Sequence, residues 1–191
     1  ESWNFPYVDT DGEQGFRDGV NTLIGFQHRR IAMIAYDTES LAGNYRLSGY
    51  LNTMHDAGLS VPDHFVWHGI HSEQTGREAL TFWWSLPPNE RPTAILCVSD
   101  TIAIGVHEEA KRRKIHIGHE LSIIGFDNMP VTPYLHPTLS TFEQPLEDIG
   151  RACIDMLCDT LSKHPLENGR RKLLLPPRLI LRNSVGLAPE D

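Results

Sequence analysis

The chain has 191 residues, with 17 Lys and Arg against 25 Asp and Glu, for a formal net charge of −8. That length allows one domain, or two small lobes sharing one, with room for a sizeable core. The acidic balance argues against contact with nucleic acid or an anionic membrane through this segment. Its apolar runs stop far short of the roughly 20 residues of a membrane-spanning helix. Cys97, Cys153 and Cys158 have no spacing suited to a disulfide framework, which fits a reducing compartment. The chain opens Glu1-Ser2-Trp3-Asn4 with no initiator Met and no signal-peptide pattern, and so reads as part of something longer.

Phe16, Val20, Leu23 and Ile24 recur at helical spacing and give way to the apolar burst Ile31 to Ala35, a buried strand. Leu47, Tyr50, Leu51 and Met54 predict a second helix that stops at Gly58. Phe65 to Trp67 reads as a short strand. Ser72 then caps a helix carrying Ala79, Leu80 and Trp83, which ends before Pro87-Pro88. Thr93 to Val98 is the next strand, with Asp100 as the expected cap of a helix marked by Ile102, Val106 and Ala110. Lys111 to Lys114 suit that helix's last turn. Leu121 to Phe126 is a further strand, and Ser140 to Phe142 a short one after a Pro-rich stretch. Leu146, Ile149, Cys153, Met156, Leu157 and Leu161 form an amphipathic helix, and Lys172 to Arg182 reads as two short edge or crossover strands split by Pro176-Pro177. Strands that are nearly all apolar and alternate with helices predict an α/β fold with a doubly wound parallel sheet.

In such a sheet, ligands bind beyond the carboxyl ends of the strands. The loops there hold Asp37, Ser40, Asn44, Arg46, His71, Ser99, Asp100, Asp127 and Asn128, a set of carboxylate, guanidinium and amide groups suited to a polyhydroxylated ligand. Each of them also has an ordinary reading as a helix cap or an exposed loop residue, and for Asp100 the cap is the better one. His64, His68 and His71 could suggest a metal, but His64 and His68 share a strand face, His71 lies beyond it, and surface histidines explain them better. Cys97 in its strand and Cys153 and Cys158 on their helix read as packing residues. Trp83 reads as core and Trp84 as surface. No Gly-x-Ser-x-Gly elbow, Walker loop or dinucleotide Gly-x-Gly-x-x-Gly is present, so neither catalysis nor a cofactor is expected.

The run Pro92 to Gly105 (PTAILCVSDTIAIG) resembles a signature of the lactose/galactose repressor family of bacterial transcription regulators. So do Leu121 to Asn128 (LSIIGFDN), Pro137 to Thr141, Gln144-Pro145, His28 to Ile31, Arg46 to Tyr50 and Arg178 to Ser184, all in the family's order and spacing. The resemblance runs from about Tyr7 to Gly186. It implies a periplasmic-binding-protein-like (type I) core of two lobes joined by three hinge crossings, here near Val8-Asp9, Thr141 to Gln144 and Gly169 to Lys172. Residues 10–142 plus 172–188 would form a nearly complete C-terminal lobe. The 146–162 helix would belong to the N-terminal lobe, and the DNA-binding helix-turn-helix would lie outside this chain. By position, Arg46 is expected to grip the effector, Asp127 to take its hydroxyls or ring nitrogen, and Ser99 to touch ligand while Asp100 caps its helix. His71 stands where the family often has a stacking aromatic, and Asn128 completes the expected set. Gln27 and Gly118-His119 depart from the family's usual Gly and Pro-acid pair and read as local turn changes. The implied protein is a cytoplasmic, homodimeric regulator that senses a small molecule such as a sugar and controls operator DNA. The alternative is a periplasmic sugar-binding protein of a transporter, which shares the fold.

Overall fold

Strands β2 (Ile31–Tyr36), β4 (Ala94–Cys97) and β5 (Ser122–Phe126) form the centre of the molecule because their side chains are almost wholly removed from water. A strand with no polar face must be covered on both sides, and crossover helices do this. The computed structural model describes residues 6–37, 40–161 and 172–190. Its six-stranded sheet has the order β3-β2-β4-β5-β6-β8, with β3 at Val66–Gly69, β6 at Ser140–Glu143 and β8 at Arg178–Ile180. The first five run parallel, while β8 closes the edge antiparallel to β6. The expected parallel sheet therefore carries one reversed edge strand. A separate two-stranded parallel sheet pairs β1 (Tyr7–Thr10) with β7 (Lys172–Leu175).

Helices α1 (Gly12–Gly25) and α2 (Leu41–Asp56) pack together, as do α3 (Glu73–Ser85) and α4 (Asp100–Arg113). The chain leaves β2 for β3 on one side and then returns past β2 to β4, so right-handed crossovers put α2 and α3 on opposite faces. The order reverses between β2 and β4, and a crevice opens there at their carboxyl ends. Helix α5 (Leu146–Leu161) follows β6 and has no buried residue. The helix expected over 146–162 is thus present to 161, and residue 162 lies outside the described residues, as do Gly169 to Arg171 of the expected third crossing.

Local chemistry fixes the element ends. Ser40 and Ser72 cap α2 and α3 by accepting from the N–H of Gly43 and Thr75. Ser99, not Asp100, caps α4, accepting from Ile102 N–H. Asp100 is one residue too late for that role, since it already has helical geometry. Gly58 sits at φ +66° just past α2, and Gln27 takes φ +69° before β2 without glycine's freedom. His64 lies in a single 3-10 turn before β3 rather than on the strand. Trp83 is fully buried, its indole N–H donating 2.7 Å to His64 O, while Trp84 is half-buried. Cys97 is buried, but Cys153 and Cys158 are exposed on α5. At the end of α4, the carboxylate of Glu109 is bound by Arg112, Arg113 and Thr81, and these bonds, with Arg112 first, pull its pKa down to about 2.

Two features set stability most directly. Gly105 on α4 and Gly76 on α3 sit where the helices touch backbone to backbone: a Cβ on Gly105 would strike the Glu73 carbonyl, and one on Gly76 the Ile102 carbonyl. Gly105→Ala should therefore lower the urea-unfolding free energy by about 2 kcal/mol or more, despite alanine's better helix propensity. His28 is 1% exposed and ties the chain's last segment to two strand starts. Its Nε2 lies 3.1 Å from Gly186 O and 2.9 Å from Ser122 Oγ, with Nδ1 2.9 Å from Thr93 Oγ1. Burial pushes its pKa down to about 4. In the unfolded chain the imidazole takes up its proton near pH 6.5, so the stability that neutral His28 contributes is present above that pH and is lost on descent to about 4. Compared with His28→Gln, the wild type should be more stable by roughly 1–3 kcal/mol at pH 7.5. That margin should shrink steadily between pH 6.5 and 4 in denaturant titrations, whereas a constant margin would contradict the buried neutral ring.

Candidate functional site

The carboxyl ends of β2, β4 and β5 converge on one guanidinium. Ser40 starts α2 so that Arg46 falls on its inner face, where it is 7% exposed. Its guanidinium carbon stands 3.8 Å from the centroid of the Phe126 ring, a cation–π contact, and Nη1 donates to Val98 O at the end of β4. Gly12, at the start of α1, leaves room for the side chain: a Cβ there would come within 2.9 Å of Arg46 Cγ. Arg46 Nε is buried with no hydrogen-bond partner among the described residues. Burial draws the Arg46 pKa down, and Asp127, Tyr36 and Asp9 oppose that pull. A buried cation with one idle donor is costly to maintain, and such groups concentrate at functional sites.

Asp127 follows β5 with φ +117°, a conformation that side-chain-bearing residues rarely adopt. Its N–H donates 2.8 Å to Phe142 O. Its carboxylate accepts 2.7 Å from Gln144 Nε2, and burial raises its pKa against the opposing influence of Arg46, Gln144 and His71. His71 is exposed, with its ring edge-on to Tyr36 at 5.8 Å between centroids. Each of Arg46, Asp127, His71 and Tyr36 is in electrostatic or ring contact with two of the others, and three of the four were expected from sequence.

The other expected site residues are placed differently. Ser99 is fully buried and engaged as the α4 cap. Asp100 is also fully buried, its Oδ1 accepting 2.6 Å from Thr141 and its Oδ2 2.7 Å from Met129 N–H. Gly125 offers no side chain where Asp100 Oδ1 sits. Burial, partly offset by those two bonds, raises the Asp100 pKa to about 6. Asn128, at φ +49°, donates 2.9 Å to Glu143 and accepts 2.8 Å from Arg182. Asp100 and Asn128 therefore clamp the loop that carries Asp127.

Tyr36, Asp9, Thr10 and Gln144 are neighbours of the site that were not expected in it; Asp9 and Gln144 were expected only in hinge crossings. Gln144-Pro145 was visible as a motif, and Tyr36 was findable as the last residue of a strand whose carboxyl end faces the crevice. At the opposite, amino end of the strands lies a cavity of about 570 Å³, lined by Arg30, Trp84, Arg91 and three prolines among others. Its arginines serve the backbone there, with Arg30 Nε donating to Arg91 O and Arg91 Nε to Leu86 O. Among the described residues, no group of three or more His, Cys, Asp or Glu is placed to hold a metal ion. No helix among them is long and apolar enough to cross a membrane.

Residues 20–185 match the periplasmic binding protein-like domain family. The chain is similar to the HTH-type transcriptional repressor CytR of Escherichia coli, at 34% identity over 184 residues covering 96% of this chain and 53% of that protein. It is similar to the ribose operon repressor of Haemophilus influenzae, at 33% identity over 87% of this chain and 49% of that one. A solved regulatory protein of the LacI family from Chloroflexus aggregans superposes with a TM-score of 0.91 at 41% identity, covering 97% of this chain and 66% of the other. The chain spans about half the length of the curated relatives it matches. With the sheet order and these likenesses in agreement, the chain belongs to the periplasmic binding protein-like domain family.

Proposed function

We propose that this chain is the effector-sensing part of a cytoplasmic, homodimeric repressor that is not an enzyme. It takes a small polar molecule, a sugar or related metabolite, into a cleft of which Arg46 and Asp127 form one wall. The observation that carries this reading is the buried Arg46 guanidinium, with Nε unpartnered and its field opposed by Asp127. A donor and an acceptor fixed side by side on a rigid sheet edge hold adjacent hydroxyls, or a hydroxyl and a ring nitrogen, in one orientation. Tyr36 and His71, set edge to face, supply an aromatic corner beside that pair. The name of the similar ribose operon repressor favours a sugar among the candidates.

In this reading residues 10–142 and 172–188 are one lobe, and α5 belongs to a second lobe across the cleft. Leu146, Ile154, Leu157 and Leu161 are all more than half exposed on α5, an apolar stripe with nothing of this lobe against it. The β1–β7 pair stands apart from the main sheet, as hinge strands between lobes would. Effector in the cleft shifts the lobes between two arrangements, and a helix-turn-helix outside this chain reads that shift as operator affinity.

Two experiments test the reading on the full-length protein. A thermal-shift screen of sugars and purine derivatives identifies a binder, and calorimetry with that compound should then show Arg46→Ala and Asp127→Ala each at least tenfold weaker, about 1.4 kcal/mol. Unchanged affinity in both would remove the site assignment. For the second lobe, Ile154→Asp should leave the stability of residues 1–191 within about 0.5 kcal/mol yet destabilise the full-length protein by about 2 kcal/mol or more, as expected where an apolar contact is lost. Equal effects in both would place α5 elsewhere.

A further inference from the structure

Gln144 joins two parts of the chain that are far apart in sequence. It follows β6 and precedes Pro145 and α5, where the chain leaves the six-stranded sheet. Its Nε2 donates 2.7 Å to Asp127 Oδ1, and its Oε1 accepts 2.7 Å from the hydroxyl of Thr10, the last residue of β1. Chemistry fixes the polarity of this chain of bonds. A carboxylate only accepts, so the amide must turn its NH₂ to Asp127 and its carbonyl to Thr10, and the Thr10 hydroxyl must donate. Thr10 is 6% exposed, so water competes poorly for these groups.

The two ends are mounted differently. On one side, the Asp127 backbone is locked to Phe142, and Asn128 beside it is held by Thr141, Glu143 and Arg182. This loop cannot swing when its carboxylate gains a partner. On the other side, Thr10 belongs to the two-stranded β1–β7 sheet, outside the main sheet, where Thr10 faces Leu175 and the next N–H, of Asp11, donates 2.7 Å to Leu175 O. A change at the Asp127 carboxylate therefore has a direct polar path out of the lobe through Gln144.

We propose that Gln144 is a positioning residue that senses whether Asp127 is engaged and passes that state through Thr10 to the β1–β7 strands. This rests on the reading of Asp127 as the effector's acid. A donor from the effector that takes Asp127 Oδ1 displaces the Gln144 amide and loosens its hold on Thr10, whereas one that takes only Oδ2 leaves the link intact. The same cleft thereby yields two different hinge responses, selected by which carboxylate oxygen a ligand uses.

The test uses the full-length protein with no effector, so its failure is distinct from failure of the effector assignment. Amide hydrogen exchange at residues 8–11 reports the β1–β7 pairing. Asp127→Ala and Gln144→Met should each speed that exchange at least fivefold. Thr10→Val should do the same, and adding Asp127→Ala to it should change the rate less than twofold further. Carbon-13 titration of the Asp127 carboxyl gives a second readout. Arg46, His71 and Asp100, the other titratable groups whose fields reach Asp127, stay unchanged in all variants. Gln144→Met should raise the Asp127 midpoint, and Thr10→Val should raise it by at least about 0.3 pH unit although Thr10 does not touch Asp127. Thr10→Ser, which keeps the hydroxyl, should behave as wild type. If Gln144→Met folds poorly, the Thr10 pair alone decides. An unmoved Asp127 midpoint in Thr10→Val, or rate effects that multiply in the double variant, would overturn the proposal.

Discussion

The structure turns on a guanidinium held out of water at the place where three strands end. Arg46 touches Phe126 with its face, Val98 with one nitrogen and nothing with Nε. Taking a cation to this depth costs several kcal/mol unless charge and hydrogen bonds offset it. Asp127 supplies part of that offset, and the local sequence is arranged around the remainder. Gly12 makes space for the Arg46 stem, Phe126 supplies the ring, and β4 stops at Cys97 so that the Val98 carbonyl is free to accept. A partner reaching Arg46 Nε would complete the set.

Holding Asp127 opposite that cation requires a backbone that most residues avoid. Consecutive positive φ angles at Asp127 and Asn128 cost on the order of 1–3 kcal/mol each. They persist because Asp100, Thr141, Phe142, Glu143 and Arg182 together specify the loop. Asp100 shows the trade most clearly: a fully buried carboxylate with its pKa raised to about 6, kept because its two oxygens fasten Thr141 on β6 and Met129 after β5. Gly125 is required beneath it, since any side chain would occupy the space of Oδ1. Strain and desolvation are thus concentrated at the carboxyl ends of the strands, and the all-apolar strands behind supply the rigidity that makes both tolerable.

Periodicity and caps made most of this fold readable in the sequence, because strands buried on both faces leave an unbroken apolar run and helices leave a stripe. The reversed direction of β8 was not readable: Arg178–Ile180 has the same pattern whichever way it pairs, and only the position of Ser184, whose N–H and hydroxyl meet Thr138 O and Ile123 O, fixes it. Arg46 and Asp127 were legible as site candidates because the crevice rule points to strand ends. Asp100 and Asn128 were picked by the same rule, but their side chains turn inward, and no spacing distinguishes a residue that clamps a loop from one that faces the crevice. Ser99 took the cap expected of Asp100 because each can cap a helix and one residue of register decides between them, which leaves Asp100 to fasten Thr141 and Met129. Gln144 was read as part of a motif and a crossing, but its bonds were not foreseen, for a stronger reason. Its partners are Thr10 and Asp127, 134 and 17 positions away, and no local pattern encodes a bond that exists only after the sheet has closed.

Several polar contacts run from the site's neighbourhood to the β1–β7 strands: the charge of Asp9 acts on Arg46, Tyr7 and Lys172 reach Tyr45, and Thr10 reaches Asp127 through Gln144. Lys172 of β7 donates 3.1 Å to Tyr45 Oη, beside Arg46, and rests 4.5 Å over that ring. Both groups face solvent, where such a pair contributes about 0–1 kcal/mol and weakens with salt. The Thr10–Gln144–Asp127 chain is part-buried and ends on a carboxylate, the kind of bond that contributes about 1.5–3 kcal/mol when its partner is removed. Coupling between an effector site and a distant response is typically about 1–3 kcal/mol. The Gln144 link can reach that size because it ends on a carboxylate, and it joins Asp127 to a strand outside the main sheet. The exposed Lys172 contact serves to keep β7 aligned with α2.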